Sequence, residues 1–183
     1  MGLDMYLKMA PKVESIEELR EIEKTLSIAF FEGDFEKELN AIKEKKGFIW
    51  NFPVEFEDSI TKENYKKATE EGWFKVSVQM RIGYWRKFNA LHNWFVAKVQ
   101  NGEDECNPHI VTLDHLKLLE GELKEINKEN ASKILPTGAG FFFGGTDYDD
   151  YYWQDVERLK GEVIYYITQI EHREKTLIYR SSW

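Results

Sequence analysis

One cysteine, Cys106, stands among 183 residues, which excludes an intramolecular disulfide and fits a reducing compartment. No apolar run approaches the ~20 residues needed to span a bilayer, so no membrane partner is expected. Positive charge is also short: 25 lysines and arginines face 33 aspartates and glutamates, for a net charge of −8. A sequence-independent grip on DNA or RNA needs a basic face, and only Arg81, Arg86 and Lys87 gather into one. Nucleic acid is therefore not an expected partner. The opening MGLDMYLKMAPK lacks the basic start and apolar centre of a signal peptide, which makes the cytosol the expected location. Cys106, His109 and His115 have no second matching pair to complete the four ligands of a structural zinc site. No metal and no cofactor are expected. The glycines Gly138, Gly140, Gly144 and Gly145 do not make G-x-G-x-x-G, because Phe143 occupies the last position, and no Lys-Ser/Thr pair follows. A Rossmann or P-loop reading fails.

What the chain does have is aromatic mass, 15% of residues, within an apolar share of 42%. That suffices for one domain with a real core. Leu3, Met5 and Leu7 alternate with polar neighbours in an opening strand that Pro11 ends. Ser15 caps a helix running to about Phe31, with Glu17 and Glu18 in its first turn and Gly33 after it. A charged helix follows over 34–45. The stretch FIWNFPVEFED is extended, but Pro53 confines it to an edge strand or a loop, and 59–71 is helical at most. Residues 73–82 alternate as a strand. Thr112 caps a helix through Asn127 that turns Leu116, Leu119, Leu123 and Ile126 inward. A long helix over 149–173 presents Tyr152, Val156, Leu159, Val163, Ile167 and Ile170, and TLIYRSSW closes as a strand. The sum is an α+β domain over 1–183, a small mostly antiparallel sheet packed by several helices. Residues 12–72 stand apart as a candidate insertion.

Two stretches carry unusual chemistry. The first, RIGYWRKFNALHNWFVAKVQ, reads as a strand end running into a helix that Asn101-Gly102 stops. On a helix, Trp85, Phe88, His92, Phe95, Val96 and Val99 form one stripe, and Asn89 falls among them. Burying a polar group without a partner costs roughly 1–3 kcal/mol. Asn89 and His92 therefore either hold a buried network or line a pocket. Arg81, Arg86 and Lys87 crowd the expected helix start. The second, LPTGAGFFFGGTDYDDYYW, is too rich in glycine and phenylalanine for a linker. It reads either as a tight turn plugged into the core or as a flap whose amides and Thr137 or Thr146 hydroxyls meet a ligand while a ring stacks on it. Asp147, Asp149 and Asp150 suit the start of the last helix.

The opening MGLDMYL, the segment GYWRKFNALHNWF, FFFGGTDYDDYY and the terminal RSSW together resemble a family of small phage and prophage proteins. The likeness covers the opening, about 80–153 and the last residues. It implies an accessory protein acting in the cytosol of a host bacterium, and raises the expectation of one that sequesters a nucleotide-derived immune signal such as a cyclic ADP-ribose isomer or cyclic dinucleotide. The expected ligand-binding residues are Arg81, Trp85, Arg86, Asn89, His92, Thr137, Gly138, Phe141, Phe143, Gly144, Gly145 and Thr146, with no catalytic residue. Trp85 and a ring of the Phe141–Phe143 run would sandwich the ligand, and Arg81 and Arg86 would pair with phosphate. A homodimer built on the terminal strand would complete the enclosure. The competing expectations are a phosphodiesterase or hydrolase with His92 as acid or base, and a protein–protein inhibitor with no small ligand.

Overall fold

The structure, a computed structural model, describes residues 2–47, 52–56 (backbone only), 63–71, 74–141 and 143–183. The expected extension at 48–51, the helix start at 59–62, Trp73 and the ring of Phe142 lie outside the described residues. The elements run β1 (Asp4–Ala10), α1 (Ile16–Glu32), α2 (Phe35–Lys46), β2 (Phe52–Phe56), α3 (Tyr65–Glu70), β3 (Phe74–Ser77) and β4 (Met80–Arg86). They continue as α4 (Asn89–Lys98), β5 (His109–Val111), α5 (Leu113–Glu125), α6 (Ala131–Ile134), α7 (Asp150–Arg173) and β6 (Thr176–Ser182). The fold is α+β. The chain divides into two compact units, Met1–Lys8 with Arg81–Trp183, and Met9–Met80.

In the first unit the sheet order is β4-β1-β6-β5, and β5 runs antiparallel to β6 with Ile110 opposite Ile178. The alternation of β1 buries Leu3, Met5 and Leu7 completely. Thr112 caps α5 by accepting from the His115 backbone N–H at 3.2 Å, while the His115 ring accepts from the Thr112 N–H. The inward leucines of α5 pack on α7, whose deepest residues are Tyr152, Val156, Leu159, Val163, Tyr166 and Gln169. The expected Ile167 and Ile170 are only half-buried, because a 3.6-residue period carries the stripe from Val163 to Tyr166.

The structure corrects four expectations in this region. The strand expected over 73–82 is two strands, broken at Val78–Gln79. Gly83 does not turn the chain: β4 runs through it to Arg86, and the helix begins only at Asn89. A side chain at 83 would meet Trp85 Cη2 and the Tyr166 hydroxyl at 2.7 Å, so the glycine makes room for aromatic packing. The turn comes at Lys87, in the left-handed region at φ 58°. Arg81 and Arg86 consequently lie on a strand and not at a helix start. Finally, β6 sits between β1 and β5, with Leu177, Ile178 and Tyr179 paired to β5, so it is an inner strand and not the sheet edge expected for a partner. Two short elements, β5 and α6, have no clear signal in the sequence.

The second unit pairs β2 antiparallel with β3, with a register irregularity between Phe52 and Val54, at Pro53. Proline cannot donate to a ladder, which suits this edge position. The other flank of β3 is held by α1. Ser27 Oγ accepts from the Val76 N–H at 2.8 Å, and Glu23 Oε1 accepts from the Val78 N–H at 3.2 Å and the Gln79 amide at 2.8 Å. Lys75 Nζ lies 2.5 Å from the other Glu23 oxygen, an ion pair that compensates a carboxylate only 1% exposed, although that oxygen makes no well-aligned hydrogen bond. Phe31 and Tyr65 stack 4.9 Å apart beside Phe74.

Candidate functional site

The glycine-rich segment is a loop between α6 and α7, and Asn89 holds it. At the first position of α4, Asn89 is 3% exposed. Its amide nitrogen donates to the Phe143 carbonyl at 3.0 Å and the Gly145 carbonyl at 2.7 Å, and its oxygen accepts from the Gly138 N–H at 3.0 Å. Both amide protons are thereby spent. Thr137 Oγ1 donates to the Thr146 carbonyl at 2.8 Å, and the Tyr148 hydroxyl accepts from the Thr137 N–H at 3.2 Å. Gly144, at φ 90°, passes so close to Lys87 that a side chain there would lie 3.2 Å from Lys87 Cβ. Gly138 is equally constrained, since a Cβ would meet the Asn93 amide at 2.3 Å. Close approach and a positive φ account for Gly138 and Gly144, whereas Gly145 has open space around it.

Between this loop, the β4–α4 turn and the start of α7 lies a cleft of about 390 Å³. Its lining comes from the end of β4 and the turn into α4 (Arg86, Lys87, Asn89), the loop (Thr137, Gly144, Gly145, Asp147, Asp149) and the start of α7 (Tyr151, Tyr152, Asp155). Asp149 caps α7, accepting from the Tyr152 N–H at 3.0 Å, and the Tyr152 hydroxyl donates to the Leu135 carbonyl at 3.0 Å. Burial raises the Asp155 carboxyl above the usual aspartate value, against the opposing pull of Arg158 at 3.0 Å. Tyr151 is 78% exposed at the rim.

Five of the expected residues therefore line one cleft: Arg86, Asn89, Thr137, Gly144 and Gly145. Trp85 does not. It is 1% exposed, packed edge-on against Tyr166, with its indole N–H donated to Glu162 at 2.9 Å. That placement corrects the expected stacking role, since no ring face is open. His92 is fully buried, its Nε2 3.0 Å from Asp104 and its Nδ1 2.7 Å from the Tyr179 hydroxyl. A carboxylate only accepts, so Nε2 carries the proton and Nδ1 accepts from Tyr179. Burial lowers the His92 pKa, with Asp104 opposing, and holds the Tyr179 phenol well above its ordinary value. The imidazole is thus a neutral link in a core network and cannot serve the cleft as an acid or base. Arg81 lies over the Tyr84 ring at 5.4 Å, outside the cleft. Gly138 and Thr146 shape the loop without lining the cleft. Phe143 packs edge-on against His92 at 5.2 Å, and Phe141 is 97% exposed.

The acidic part of the lining, with Tyr151 and Asp155, had a weak signal in the sequence. Residues 151 and 155 are one helical turn apart and share a face of α7, but the aspartates before them, Asp147, Asp149 and Asp150, are equally explained as charge at the helix start. In the second unit a groove of about 480 Å³ runs beside Glu23, whose carboxylate is already engaged by β3 and Lys75 as described. Among the described residues, no group of histidine, cysteine, aspartate and glutamate could hold a metal, and no helix is long and apolar enough to cross a membrane. Comparison with protein families, curated proteins and solved structures finds no match.

Proposed function

We propose that this protein binds a nucleotide-derived small molecule in the cleft and holds it without turnover, as a phage accessory protein removing a host immune signal from the bacterial cytosol would. The observation that carries the reading is the spent Asn89 carboxamide. It fixes the loop against the β4–α4 turn before any ligand arrives, so little ordering cost falls on binding. Arg86, whose Nε lies 4.0 Å from Asp4, and Lys87 bring positive charge to the cleft on a protein of net charge −8. At about 390 Å³ the cleft is at the small end of ligand pockets and suits one nucleotide unit.

A thermal-shift panel of cyclic mononucleotides, cyclic dinucleotides and ADP-ribose-type compounds tests the reading. A binder should be stabilised by at least one member, release it intact on heat denaturation, and lose the shift in Arg86→Ala. A chemically altered product would point to the hydrolase instead. No shift with any member would leave the protein–protein inhibitor as the better account.

A further inference from the structure

The cleft carries charge of both signs. Arg86 and Lys87 come from the end of β4 and the turn after it, while Asp147, Asp149 and Asp155 come from the end of the loop and the first turns of α7, as does the exposed Tyr151. A uniformly anionic ligand filling the space would be drawn to the two cations and repelled by the three carboxylates. Carboxylates beside an open aromatic face instead suit a delocalised or quaternary cation, which gains from the ring quadrupole and from the charges together. We propose that the cleft selects a nucleotide bearing a cationic nitrogen heterocycle, with the phosphate at Arg86 and Lys87 and the positively charged ring against Tyr151 and the aspartates. This specifies the ligand class of the binding function proposed above and rests on that reading. The raised carboxyl of Asp155 agrees with it: the group is partly desolvated and incompletely compensated by Arg158, so a ligand cation would relieve it.

Nicotinamide mononucleotide and its dihydro form make a suitable pair, because they share a phosphate and ribose and differ in whether the ring is cationic. Titration calorimetry of the full chain should find the cationic form bound about tenfold more tightly. Asp147→Asn, on an exposed loop position, and Tyr151→Ala should narrow that ratio toward one, while Arg86→Ala should weaken both forms equally. Equal affinities, or tighter binding of the neutral form or of adenosine monophosphate, would overturn the charge selectivity and leave the nucleotide reading standing. Binding of none of the three, in protein whose circular dichroism shows it folded, would bring down both.

Discussion

Truncating Asn89 to alanine removes three hydrogen bonds and strands two loop carbonyls and the Gly138 N–H. The expected cost is about 1–3 kcal/mol in urea unfolding, with faster amide exchange at Gly138. Unchanged exchange there would show that the loop is held by something else. His92 makes a second residue-scale expectation. Its folded pKa lies below the ordinary value of 6.5, so between the two the unfolded chain binds more protons. Stability should be full above that window and fall as pH drops through it. His115, also lowered by burial, adds in the same direction. In His92→Gln the slope of stability between pH 7.5 and 5.5 should flatten; an unaltered slope would exclude His92 as its source. Both residues were visible in the sequence as polar groups on an apolar stripe. Their partners were not, because Asn89 binds main-chain atoms some fifty positions away and no side-chain pattern records where a backbone carbonyl will be. The same blindness put Trp85 in the ligand site: a tryptophan on the stripe is equally compatible with an open face and with Glu162 at its nitrogen.

Capped elements were legible because capping is local. Ser15 accepts from Glu18 and Thr112 from His115, each within three residues, as their sequences imply. The β4–α4 passage was not, since glycine ordinarily breaks a strand and here it admits rings from β4 and α7. Gly83→Ala tests this account. Placing a Cβ within 2.7 Å of Trp85 and Tyr166 should cost roughly 1–3 kcal/mol of stability through overpacking. A neutral result in thermal unfolding would mean that the rings move aside freely. On α1, Glu23→Ala should cost about 2 kcal/mol, because the Val78 N–H loses its acceptor while Lys75 stays partly in water. The check is amide exchange at Val76 and Val78, which should rise at Val78 first.

For the molecule as a whole, composition bounded the chemistry better than the architecture. The α+β class followed from the order of strands and helices, whereas the rank of β6 inside the sheet did not, because strand order depends on long-range pairing that has no local signature. Charge is the whole-molecule property with a direct consequence. With a sequence pI near 5.2, the net repulsion between copies vanishes as pH approaches that value. Solubility measured by light scattering should pass through a minimum there and recover at pH 7. A flat profile would mean that the carboxylates matter too little to set it.

The flank of β3 bears on how this protein lives among others. An open strand edge invites any extended peptide to add itself on. The Ser27 hydroxyl and the Glu23 carboxylate already accept from the Val76 and Val78 N–H groups, so neither donor is open to a foreign chain. A strand arriving on this flank would first have to displace both side chains, so the contacts that seat α1 against β3 also close that edge to self-association.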